Sequence, residues 1–202
     1  MRKSSPKLSP LPLGGFTLLE LLVVIAIIGI LAGLMFPAVT GALRRAEVVN
    51  AQNTAYNVKN AVSSYFTEYR KYPVDSQTRT DETQPLRTDE ELMDVLLGAD
   101  SEAEEGGLNP RKVAYYSGKQ ARQKGPNEYI KGIVLQDDGG GELWDPFGEY
   151  YYVRLDLDYN NRVERPDWDD SGQSRFLPES IIIWSSGKDE DEDEDRDNIK
   201  TW

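Results

Sequence analysis

From Phe16 to Val39 the chain is apolar or small at almost every position, and Glu20 is the single charge in the run. As a helix these 24 residues would extend about 36 Å, enough to cross a hydrocarbon core of roughly 30 Å. The pattern then changes from continuous to periodic. Val48, Ala51, Ala55, Val58, Val62, Tyr65 and Tyr69 recur at alternating spacings of three and four, which places them on one helical face. The opposite face carries Asn50, Asn53, Asn57, Asn60, Ser64 and Glu68. Tyr72-Pro73 ends the pattern, because the residue before a proline is pushed out of the helical region. The sequence therefore predicts one long, bent helix from about Phe16 to about Arg70, membrane-embedded in its first half and packed against a sheet in its second. Pro37 removes the helical bond to the carbonyl of Gly33 and, with Gly29, marks a weak stretch.

Residues 74–128 are polar and punctuated by Pro85, Gly106-Gly107, Pro110 and Pro126. A short helix is predicted over Asp89–Leu97, with Leu92, Val95 and Leu96 inward, Thr88 as its cap and Gly98 as its stop. Asn109 to Tyr116 reads as an irregular packed segment, and Asp100, Glu102, Glu104 and Glu105 as solvated loop charge. Beyond it, Tyr129–Gln136 is β-rich, and Glu142–Trp144 leads into Asp145-Pro146-Phe147-Gly148, a strong turn signal. Tyr151, Val153, Leu155 and Leu157 then alternate with Tyr150, Tyr152, Arg154, Asp156 and Asp158, the mark of a strand with one buried face. Ser180–Trp184 is a third β-branched run. These elements predict an α+β fold, a long N-terminal helix packed on a small antiparallel sheet.

Charge narrows the function classes. The net charge is −12; Arg2, Lys3 and Lys7 stand among the first 15 residues with no acid, which leaves −15 on the rest. So acidic a body argues against nucleic-acid binding, which needs clustered Lys and Arg. There is no cysteine and no histidine, which removes disulfides and the usual ligands of zinc and haem. No credible nucleophile–base set exists, and the chain is not expected to be an enzyme. A bound metal would need oxygen ligands, which points to calcium.

Gly15, Phe16, Thr17, Leu18, Leu19 and Glu20 resemble, without a gap, the class III signal of type IV pilins and type II secretion pseudopilins. The resemblance implies cleavage by prepilin peptidase between Gly15 and Phe16 and N-methylation of the new Phe16 amine. It implies a pilin-like division into a cytoplasmic leader (1–15), a transmembrane and polymerisation helix (16–39), the amphipathic soluble half of the helix (40–73), a variable segment (74–128) and a sheet with a C-terminal acidic loop (129–202). Such a subunit sits in the bacterial inner membrane with its C-terminal domain in the periplasm. Its partners would be copies of itself, other pseudopilins, the inner-membrane assembly platform and membrane lipid. Glu20 would meet the Phe16 amine of a neighbouring subunit, a pair costly to break once buried, and Pro37 would let the helix extend on assembly.

The C-terminal half resembles the G-type, or major, pseudopilins of type II secretion more narrowly. Asp145-Pro146-Phe147-Gly148 before Tyr150-Tyr151-Tyr152 matches their turn, and Ser185-Ser186-Gly187-Lys188-Asp189 with Asp197-Asn198-Ile199-Lys200-Thr201-Trp202 matches their ending. The larger middle segment departs from that pattern. The resemblance implies one structural calcium held by the carbonyls of Ser186 and Asp191 and the side chains of Asp189, Asp197 and Asn198. Asp189 to Asp197 is acidic at eight of nine positions, so like charges repel there unless a cation is bound. A second metal loop is suggested by Asp156-x-Asp158-x-Asn160-Asn161-Arg162 with Asp167 at the twelfth place, an EF-hand-like spacing. The function expected is a structural subunit of a type II secretion pseudopilus. The alternatives are a type IV or minor pilin for adhesion, motility or DNA uptake, and a membrane-anchored calcium-dependent binding module.

Overall fold

The computed structural model describes residues 15–75, 84–171, 174–189 and 197–202, without the side chains of 34–38. The chain divides into two compact units at Arg44/Arg45. Helix α1, Leu18–Tyr69, is 52 residues long and continues through Pro37. It ends where Arg70 adopts a left-handed φ of 56° just before the predicted Tyr72-Pro73 stop. In the first unit the large apolar side chains stand exposed, Leu18 at 88% and Ile30 at 65%. Among the described residues no helix is long and apolar enough to cross a membrane. The expected 16–39 span runs beyond Gly33 into residues whose side chains lie outside the described set.

In the second unit, the predicted stripe of α1 forms the core face. Ala51, Ala55, Val58, Val62 and Tyr65 are fully buried, whereas Val48 is 40% exposed, so the packed face begins one step later than its spacing suggests. Against it lies a four-stranded antiparallel sheet in the order β1 (Leu86–Arg87), β6 (Tyr152–Leu155), β9 (Ile181–Ser185), β10 (Ile199–Lys200). Three ribbons complete the unit: β2 (Arg122–Gly125) with β3 (Glu128–Ile130), β4 (Gly132–Leu135) with β5 (Gly141–Trp144), and β7 (Val163–Glu164) with β8 (Phe176–Leu177). This is the expected α+β arrangement, a long N-terminal helix with small antiparallel sheets.

The central strands are buried on both faces, not one. Val153, Leu155, Ile181 and Ile183 join the core under α1. Tyr152, Ile182 and Trp184 form a second core with Val163 and Leu177, flanked by Trp168 and Trp202. The excursion between β6 and β9 folds back over the outer face and supplies that cover. The run Tyr129–Gln136 is broken into β3 and β4 at Lys131 (φ 61°) and Gly132 (φ 153°), where a Cβ on Gly132 would stand 2.4 Å from the Lys119 carbonyl.

The short helix α2, Glu90–Leu97, ends at Gly98 in the left-handed conformation, as its sequence predicts. Its N-cap position is Asp89, which makes no side-chain cap bond. Thr88 does not cap. It is buried, donating to the Leu143 carbonyl (2.8 Å) and accepting from the Tyr151 amide (2.9 Å), so it joins α2 to β5 and β6. The segment after α2 is pinned by buried Asn109, whose amide nitrogen donates to the carbonyls of Val95 (2.8 Å) and Val113 (2.9 Å). Glu102 is not purely solvated, since it accepts from the Leu108 amide at 2.7 Å.

Candidate functional site

At the start of α1, Thr17 and Glu20 close a reciprocal cap. The Glu20 carboxylate accepts from the Thr17 amide (2.8 Å) and hydroxyl (2.8 Å), and the Glu20 amide donates back to the Thr17 hydroxyl (3.2 Å). The Thr-x-x-Glu spacing is that of a capping box, which satisfies amides that have no partner within the helix. Glu20 therefore has a partner within its own chain as well as the one expected on a neighbouring subunit, and the cap is legible in the same four residues. Gly15 and Phe16 precede the helix and are exposed, Phe16 at 77%, so the predicted scissile bond is accessible.

The second candidate site is built where β9 ends and β10 begins. Ser185 donates to buried Asp145 (2.6 Å) and accepts from the Gly187 amide (3.2 Å), which fixes the turn through Ser186. Asp197 accepts through Oδ2 from the amides of Lys188 (2.8 Å) and Asp189 (3.3 Å). Its Oδ1 and the Ser186 hydroxyl are buried with no hydrogen-bond partner among the described residues. Buried oxygens left in that state are unusual, and they are the hard ligands calcium takes. The structure thus brings Ser186, Asp189 and Asp197 together, with Asn198 next in the chain. Asp191 lies outside the described residues. Among the described residues, no group of three or more acidic side chains is placed to hold a metal.

Gly187 closes this turn at φ 78°, and a Cβ there would stand 2.4 Å from the Asp197 carbonyl oxygen. Gly187→Ala is expected to destabilise the unit by roughly 1–3 kcal/mol through left-handed strain alone, read as a lower melting temperature in the presence of a chelator.

The 156–167 loop uses its oxygens internally. Asp156 accepts from the amides of Asn160 (2.9 Å) and Asn161 (2.8 Å), and Asn160 accepts from the Arg162 amide (3.0 Å). Asn161 takes the left-handed conformation (φ 61°), as expected of an asparagine in the glycine place. Asp167 is exposed. The carboxylate drawn inward on that side is Asp169, fully buried and bonded to Arg165 (2.5 Å), Lys200 (2.9 Å) and Trp202 (2.7 Å). Burial pushes its pKa up, but hydrogen bonds from Ser171, Lys200 and Trp202 outweigh that and hold it well below the usual carboxylate range. Arg165, four residues before it, is a partner that the spacing could have suggested, whereas Lys200 and Trp202 come from the C-terminal end of the chain.

Residues 14–36 match the prokaryotic N-terminal methylation motif, and the N-terminal part of the chain is similar to type IV pilins and to a type II secretion protein G. Over 62 residues it is 45% identical to fimbrial protein EcpC of Eikenella corrodens, covering 31% of this chain and 40% of that protein. Over 59 residues it is 46% identical to a type IV major pilin protein PilE1 of Neisseria gonorrhoeae, covering 29% and 36%. Over 63 residues it is 40% identical to type II secretion system core protein G of Aeromonas hydrophila, covering 31% and 44%. The chain thus spans less than half the length of these relatives. No solved structure matches it significantly.

Proposed function

We propose that this chain is a structural subunit of a type II secretion pseudopilus, anchored in the inner membrane by residues 16–39 and polymerised through them after cleavage at Gly15/Phe16. The observation that carries the reading is the exposed apolar face of α1 behind the Thr17–Glu20 cap, a surface with no use in an isolated subunit. Similarity to a core protein G, together with the Asp145 turn and the Ser186–Asp197 ending, favours secretion. The fimbrial and major-pilin relatives favour a type IV pilus subunit as the second reading. A C-terminal disulfide loop of the kind that braces exposed pili cannot form here, since there is no cysteine.

Two variants separate the roles of Glu20. Glu20→Ala removes both cap and charge, whereas Glu20→Gln keeps an acceptor for the cap and removes only the charge. Both are expected to insert and be cleaved normally but to fail in filament assembly, seen by electron microscopy and cysteine-free lysine cross-linking. Normal filaments from Glu20→Gln would assign Glu20 to capping and remove its intersubunit pairing.

We further propose that Ser186, Asp189, Asp191, Asp197 and Asn198 hold one structural calcium, which would neutralise the acidic loop and tie β10 to β9. Calcium is expected to raise the melting temperature of the full chain in detergent, and the pair Asp189→Ala/Asp197→Ala to abolish the rise. A melting curve of the unmutated chain that ignores a chelator rules the metal out.

A further inference from the structure

A cavity of about 200 Å³ opens between α1, the segment before β2 and the β4–β5 ribbon. It lies within the second unit and away from both sites above. Its α1 wall is Asn50, Asn53 and Asn57, three exposed amides at one helical face. The opposite wall includes Tyr116, Lys119 and Trp144. In a chain of net charge −12, no carboxylate lines this cavity.

Tyr116 is the observation that points to a ligand. Only 5% of it is exposed, yet it lines the cavity, and burial pushes its hydroxyl up to about 12. A phenol at a cavity wall offers one donor and one acceptor to whatever enters. Gly118 sits beside it; a Cβ there would be 3.3 Å from the hydroxyl, so the absent side chain leaves that hydroxyl open. Trp144 stays half-buried, its ring 4.4 Å from Tyr150 and 6.1 Å from Tyr129, which holds it as a fixed aromatic wall.

The lining selects the chemistry. No carboxylate among the described residues lines it to hold a metal cation. Of its two lysines, Lys131 is already paired to Glu47 at 2.8 Å, and the strongly acidic chain repels a phosphate-bearing ligand. Side-chain amides and a phenol each both donate and accept, as do the vicinal hydroxyls of a sugar, whose C–H face packs on an aromatic ring. The volume is below the ~300–1,000 Å³ of sites for drug-sized ligands and suits a single ring. We propose that this cavity is a saccharide site that takes one neutral sugar ring of a glycan against Asn53, Asn57, Tyr116 and Trp144.

The test uses saturation-transfer NMR on the full chain in dodecylphosphocholine, a detergent with no sugar headgroup. The probes are glucose, galactose, mannose, N-acetylglucosamine and N-acetylgalactosamine, with glucuronate as the charged control. Transfer to at least one neutral sugar is expected, weakened at least tenfold in Asn53→Ala/Asn57→Ala, whose exposed positions leave the melting temperature unchanged. Tyr116→Phe, which deletes one oxygen, should weaken it severalfold. No transfer to any neutral sugar, transfer to glucuronate alone, or undiminished transfer in the double asparagine variant each overturns the proposal.

Discussion

Asp169→Ala is expected to cost roughly 3–5 kcal/mol of stability, the range for stripping one member from a buried ionic cluster. At this chain length that lowers the melting temperature by about 6–20 °C. The carboxylate is fully buried and accepts from Lys200, Arg165, Ser171 and the Trp202 indole. Removing it strands two cations, of which Arg165 is only 14% exposed. It also frees Trp202 from the second core, where it meets Trp184 at 6.1 Å, so a change in tryptophan fluorescence should accompany the loss. The pH dependence has a definite sign. The folded-state pKa is depressed, so the contribution is fully present above the unfolded value of about 3.9 and lost as pH falls through the folded one. The gap between wild type and variant, measured by urea titration, should be widest near neutrality and shrink toward pH 2. A gap independent of pH would assign the loss to packing alone.

Asp145→Ala is expected to cost roughly 3 kcal/mol or more, because several buried donors lose their acceptor at once. Oδ1 accepts from the amides of Phe147 (2.8 Å), Gly148 (2.7 Å) and Glu149 (3.0 Å), and Oδ2 from the Ser185 hydroxyl (2.6 Å). Asp145→Asn keeps an oxygen for the three amides and should lose less than half as much. Burial raises the Asp145 pKa despite those bonds. Its contribution is therefore greatest below the unfolded carboxylate pKa and declines as pH rises through the folded value, the reverse of Asp169. Thermal melts of both variants at pH 4 and pH 7 read this out: the deficit of Asp145→Asn should be larger at pH 4. Since Ser185 also accepts from the Gly187 amide, Asp145→Ala should blunt any calcium-induced rise in melting temperature as well.

Much of the scaffold was legible because periodicity is a long-range signal. The stripe from Ala51 to Tyr65 and the β6 and β9 runs each repeat often enough to outweigh single exceptions. β1 was not legible: two residues, Leu86 and Arg87, carry no period, and they enter the sheet through pairing with Val153 and Tyr152. The second core was missed for a related reason. Tyr152 looks like the outward member of an alternating strand, and only the fold-back of β7 and β8 buries it. Thr88 drew attention as a cap because it precedes a helix, but tertiary bonds to β5 and β6 claimed its hydroxyl. Among the site residues, Asp145 was visible as turn chemistry, whereas its bond to Ser185, 40 positions away, was not. Asp169 was hidden among neighbouring acids: its local partner Arg165 sits at a spacing other acids share, and contact with Lys200 and Trp202 comes only with the fold.

The reciprocal bonds between Thr17 and Glu20 bear on how a subunit can wait in a bilayer. An acid that already shares two protons with its own helix start presents less bare charge to lipid, so the stored form is tolerable without a neighbour. Under the proposed function, joining a filament would be an exchange of partners at one carboxylate, and leaving it the reverse exchange. The free-energy difference between the two arrangements is smaller than the strength of either. A polymer built on such a joint would be reversible at that carboxylate, and its turnover would respond to changes at Thr17 as much as at Glu20.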